Sequence, residues 1–231
     1  MYLKNRLDTL RKAQNVDGGW GYYSGKGSWL EPTVLAGLAL QGDPAADRAW
    51  ALISAWQQPT GAWRPAADVD TANWSTALAT FWAGVRKSTQ QDLSQRWLRQ
   101  QGESGGWPWK RVGAAPEPTA WVSLALPGQF QKNSHILLEH DLSSDTCGPV
   151  LMALQGTSEA KALLEMAQFW AAQTASPWTR AWITLGLRLN GAGTADPDDS
   201  ATPKNLATVA LEALAAEEGN HVLLKVSGGT Q

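Results

Sequence analysis

The chain has 231 residues, 19 Lys and Arg against 21 Asp and Glu, and a net charge of −2. Charges of both signs are mixed throughout, which argues against a nucleic-acid binder and against strong electrostatic attraction to a membrane. One cysteine excludes an internal disulfide framework and a multi-cysteine zinc site. No apolar run approaches 18 residues, and the first residues lack the apolar centre of a signal peptide, so a soluble cytoplasmic protein is expected. Peripheral contact with a membrane stays open.

Residues 2–13 place Leu3, Leu7 and Leu10 at helical spacing, predicting an amphipathic outer helix. Gln14 to Gly27 is a glycine-rich loop. Glu31-Pro32-Thr33 then opens a helix, VLAGLAL, that is apolar nearly all round and is expected to be buried. Gly42 ends it and Pro44 begins the next element. The same order follows again: an outer helix over 46–57, a loop with Trp63, and an apolar helix over about 70–85. A third outer helix (89–101) leads to a loop with Trp107 and an apolar helix from Glu117-Pro118-Thr119 to near Leu126. Beyond 128 the pattern loosens. A short outer segment (130–141) precedes an inner helix from Asp145, and an outer helix (158–173) precedes one from Ser176-Pro177 to Leu189. A polar loop (192–201) then leads to a sixth inner helix, from Thr202-Pro203 to about Glu217.

Gln14, Gly18 and Trp20 recur as Gln57, Gly61 and Trp63 and as Gln101, Gly105 and Trp107, all reading Gln-x3-Gly-x-Trp at intervals of 43 and 44 residues. Thr33, Thr76 and Thr119, each opening an apolar stretch, keep intervals of 43 and 43. A period of this size marks repeated units that bury their apolar faces only against one another. Six apolar helices behind amphipathic ones predict an all-α, two-layer ring of helical hairpins, with an open HEAT-type solenoid as the competing architecture. One domain is expected over 1–218, followed by a tail over 219–231 that adds a short strand or frays.

The Gln-x3-Gly-x-Trp unit, between an amphipathic helix and an apolar helix opening with Glu-Pro-Thr, resembles the QW repeat of the squalene/oxidosqualene cyclases and prenyltransferase repeat proteins. The resemblance is strong over 1–126 and extends weakly to 191. It implies an (α/α)6 toroid in which the Gln caps helix ends and stacks on a neighbouring repeat's Trp. It also implies an apolar ligand, an isoprenoid above all, and terpene-cyclase-type chemistry. The alternative is a non-catalytic toroid that binds a protein partner.

Such cyclases start by protonating an alkene or epoxide, with the middle aspartate of Asp-x-Asp-Asp-Thr-Ala as the acid. This chain offers Asp68-Val69-Asp70-Thr71-Ala72, one carboxylate short; in the repeat frame the acid's place falls on Trp74. Asp68 and Asp70 are the candidate acids, with helix capping as the competing role. Glu31, Glu117 and Asp145 occupy equivalent places at inner-helix starts, where they cap or serve a ligand site. Asp145-x-Cys147 matches a zinc-binding pair of the prenyltransferases, but His135, His140 and His221 all lie away from the third ligand's place, so neither a metal nor another cofactor is expected. Fourteen tryptophans against three Phe and three Tyr put indoles on the inner helices, namely Trp74, Trp82, Trp121, Trp178 and Trp182. They either line a cavity, where they would hold an isoprenoid, or fill it.

Overall fold

A computed structural model describes residues 1–101, 115–126, 137–138, 142–193 and 201–218. Ten helices fall among them: α1 (Tyr2–Ala13), α2 (Leu30–Ala39), α3 (Pro44–Ser54), α4 (Ser75–Val85), α5 (Gln90–Gln101), α6 (Pro116–Ala125), α7 (Ser144–Ala153), α8 (Ser158–Gln173), α9 (Pro177–Leu189) and α10 (Leu206–Ala215). The described residues contain isolated bridges but no strand. None of these helices is long and apolar enough to cross a membrane. The third motif's Trp107, the three histidines and the tail over 219–231 lie outside the described residues.

The inner helices form a closed circuit. Packing runs α2 to α4, α4 to α6, α6 to α7, α7 to α9 and α9 to α10, and α10 returns to α2. An open solenoid has no such closing contact. The outer helices cover the circuit: α3 packs on α2, α5 on α4, α8 on α7 and α9, and α1 on α10. The reason lies in composition. Every described residue of α2 except Glu31 is buried, whereas α5 buries only Ser94 and Leu98. An all-apolar helix needs cover on every side, and a one-faced helix supplies it.

The repeat motif joins consecutive units by the same bonds in both described copies. Trp20 and Trp63 are wholly buried. Their indole N–H groups donate to the last-turn carbonyls of the preceding outer helices, at Leu10 (2.8 Å) and Ile53 (2.9 Å). Their backbone N–H groups donate to the Thr33 and Thr76 hydroxyls that open the next inner helices, at 3.0 and 3.1 Å. Gln14 Nε2 donates to the carbonyls of Gly18 and of Ala45 in α3, and Gln57 Nε2 to those of Gly61 and of Gln90 in α5. The Gln thus ties its own loop to the next outer helix through carbonyls. Gly18 and Gly61 adopt φ of +92° and +97°, and a Cβ on Gly61 would lie 2.4 Å from the Leu93 carbonyl oxygen. Backbone conformation and close approach both require glycine there. Burying an indole removes about 150–250 Å² from water, roughly 4–6 kcal/mol each before ordering costs.

Two inner helices start later than their sequences suggest. α4 begins at Ser75 rather than near 70, because Asn73 Oδ1 accepts from the Ser75 backbone N–H and hydroxyl. α10 begins at Leu206, after Asn205 has accepted from Ala207 and Thr208, rather than at Thr202-Pro203. In both, an asparagine whose side chain bonds the first helical turn outcompetes the residues upstream.

Candidate functional site

Inner-helix starts supply the candidate residues. Glu31, Glu117 and Asp145 are each the second residue of their helix, in α2, α6 and α7. Trp178 holds that place in α9, and Trp74 is the N-cap of α4. The structure draws these positions together. Glu31 and Trp74 line one small cavity of about 90 Å³ with Tyr22 and Trp29. The Glu117 carboxyl feels the negative charges of both Glu31 and Asp145. Asp145 Oδ1 accepts from the Thr179 hydroxyl of α9.

The three carboxyls are not helix caps. Glu31 Oε2 accepts from the Tyr22 hydroxyl at 2.5 Å, and Asp145 is taken up by Thr179. The α9 start is capped by Ser176, whose hydroxyl accepts from Thr179 N. Burial dominates the titration of Glu31 and Glu117. It pushes the Glu31 carboxyl above the usual range, with the Tyr22 bond opposing. It pushes Glu117 to about 8, with Glu31 and Asp145 adding to the effect. At neutral pH Glu117 is therefore mostly a neutral acid, able to donate a hydrogen bond. Tyr22, half-buried beside Glu31, is held in its phenol form.

One turn deeper lies an aromatic floor. Trp121 stands four residues after Glu117 on α6, and Trp182 four after Trp178 on α9, so each pair shares a face. Trp121 and Trp182 meet edge to face with centroids 5.0 Å apart, and Trp178 meets Trp182 likewise at 5.6 Å. Because α7 separates α6 from α9 in the circuit, the first contact reaches across the ring. Trp121 and Trp182 are 1% and 2% exposed, and neither indole N–H finds a protein acceptor. Two buried donors without partners are costly, at about 1–3 kcal/mol each.

Other candidates fall elsewhere. Trp82 packs edge to face on Trp50 of α3 at 5.3 Å, donates to Gln41 Oε1, and fills the space left by Gly37. It belongs to the joint between α2, α3 and α4 rather than to the rim. Asp68 and Asp70 stand in the loop before α4, and both are exposed. Asp70 pairs with Arg64 at 2.9 Å with 80% of its side chain in water. Neither enters an apolar cavity, and it is Asn73, not either aspartate, that accepts from the first N–H of α4. Cys147 is buried, its thiol pushed up to about 12 by burial, so it is an inert core group. Among the described residues no three His, Cys, Asp or Glu side chains gather closely enough to hold a metal ion. Tyr22, Trp29 and Thr179 were not singled out by sequence. Tyr22 aligns with Pro65 and Trp109 in the other repeats and Trp29 with Ala72 and Pro116, so periodicity does not mark them out.

No protein-family profile matches the sequence, and no curated protein matches it. Solved structures do. The apo form of the type II terpene cyclase MstE from Scytonema is similar at TM-score 0.63 and 20% identity, covering 93% of this chain and 78% of that one. Two single-site variants of the same enzyme, each in complex with geranylgeranyl dihydroxybenzoate as substrate, are similar at TM-score 0.63 with 20% and 19% identity. They cover 93% of this chain and 76% and 77% of theirs. The fold is thus a helical toroid like that of the type II terpene cyclases.

Proposed function

We propose that this chain is a terpene-cyclase-like toroid that binds a neutral, oxygen-bearing isoprenoid at the mouth formed by its inner-helix starts. The Gln-x3-Gly-x-Trp units are read as QW repeats, because two copies make the same set of bonds. One observation carries the binding reading: Glu31, Glu117 and Asp145 stand at neighbouring inner-helix starts, one turn from an indole floor, where desolvation and the two other charges favour the neutral form of Glu117. Indole faces at Trp178 and Trp74 offer apolar contact to a polyprenyl chain. The neutral Glu117 offers a donor to a hydroxyl, ether or carbonyl oxygen. A rim that gathers three acidic residues disfavours a diphosphate.

The same Glu117 is a candidate general acid, but the desolvation that keeps a proton on it also makes it a weak one. Binding without alkene protonation is therefore the expected behaviour. The reading is tested by titrating geranylgeraniol and geranylgeranyl diphosphate into the full chain while following tryptophan fluorescence. Saturable binding of the alcohol, at least tenfold tighter than the diphosphate and weakened at least tenfold by Trp178→Ala, is expected. A preference for the diphosphate, or no saturable binding, refutes it.

A further inference from the structure

Away from the mouth, a groove of about 510 Å³ runs along the seam where the ring closes. One wall is the end of α1, with Lys12 and Ala13; another is the loop at Tyr23 and Ser24; the third is the approach to α10, with Lys204 and Leu206. Its volume falls within the roughly 300–1,000 Å³ of small-molecule sites. The seam itself is firmly built: Leu206 N donates to Tyr22 O at 2.8 Å, Tyr23 bridges to Asn205, and Arg6 of α1 pairs with Glu212 of α10. The walls therefore hold their shape without a ligand.

Chemistry narrows the occupant. The walls are mostly apolar, and Tyr23 keeps about half its surface in water. Lys12 and Lys204 are exposed and make no ion pair among the described residues, and no acid lines the groove. The Ser24 hydroxyl is a third donor. Among the described residues no acid offsets these two ammonium groups, which match the charge of about −1.5 to −2 on a phosphate monoester better than the single charge of a carboxylate. We propose that this groove binds a single-chain phosphate monoester, its head between Lys12 and Lys204 and its chain along Ala13, Tyr23 and Leu206. The site is separate from the mouth and does not depend on it.

Isothermal titration of the full chain with dodecyl phosphate, kept below its micelle concentration, tests this. Saturable one-to-one binding is expected, with dodecanol and inorganic phosphate each at least tenfold weaker and dodecanoate at least threefold weaker. The double variant Lys12→Ala/Lys204→Ala, changed only at exposed side chains, should lose at least tenfold for dodecyl phosphate and leave dodecanol unchanged. Trp178→Ala, at the mouth, should leave dodecyl phosphate unchanged. Equal affinity for dodecanol and dodecyl phosphate, or an unaffected double variant, would overturn the proposal. So would lysine-dependent binding to phosphatidylglycerol vesicles with none to the monomeric phosphate, which would make the face a membrane contact.

Discussion

Arg6 Nε donates to Glu212 Oε2 across 2.6 Å, joining the first helix of the chain to the last inner one. Both side chains are almost wholly buried, at 1% and 6% exposure, and Arg6 also reaches the Thr202 hydroxyl and the Ala201 carbonyl. The pair secures α1 over α10, beside the contact that closes the ring. Breaking it from one side leaves a buried charge, so Arg6→Ala should cost about 3–5 kcal/mol in urea denaturation. Replacing both with methionine should recover most of that loss. Equal losses in the single and double variants would show that packing, not the stranded charge, is what matters.

Glu117 predicts a pH dependence of stability. Its folded-state pKa of about 8 lies above the ordinary 4.5. A carboxyl raised in this way contributes stability that is fully present below pH 4.5 and lost as pH rises through 8. At about 1.4 kcal/mol per unit, the loss attributable to this group is on the order of 3–5 kcal/mol. The stability difference between the native chain and Glu117→Gln should therefore shrink or reverse from pH 5 to pH 8. A difference independent of pH across that interval contradicts the burial of this carboxyl.

The repeat bonds make a further prediction. Thr76 Oγ1 accepts from Trp63 N inside the core, at 3.1 Å. Thr76→Val keeps the shape and strands that N–H, which should cost about 1–3 kcal/mol. Thr33→Val should cost the same, since Thr33 holds Trp20 in the same way. Chemical denaturation of both variants checks it, and unequal losses would mean that the two repeats do not carry equivalent joints.

Incubation with squalene, farnesyl and geranylgeranyl compounds should give no cyclic product. Asp68 and Asp70 stand in water, and the half-buried Glu117 is a weak acid. Cyclic product detected by mass spectrometry, and lost in Glu117→Gln, would make the toroid a cyclase with an acid on an unexpected helix.

Much of the fold was legible because the repeat is written in residues with fixed structural duties. Gly61 needs its φ, Trp63 needs burial, and Thr76 needs the Trp63 N–H, so their spacing carries the architecture directly. The site was legible only in part. Glu31, Glu117 and Asp145 could be placed at helix starts, but whether such a carboxylate caps its own helix depends on partners far away in sequence. Asp145 meets Thr179, 34 residues on, and no periodicity announces that bond. Trp82 and Trp121 look alike as inner-helix indoles. One lies over Gly37 of α2 and meets Trp50 of the outer layer, and the other reaches across the ring to Trp182. Asp68 and Asp70 misled because a short motif resemblance carries no information on exposure.

The most direct test of the mouth as the isoprenoid site is photo-crosslinking with a benzophenone-bearing geranylgeranyl ether, mapped by peptide mass spectrometry. The account predicts adducts on the α4 and α9 starts, at or beside Trp74 and Trp178, that unlabelled geranylgeraniol competes away. Competed adducts confined to the outer helices or to the groove at Lys12 and Lys204, with none at the inner-helix starts, would contradict it.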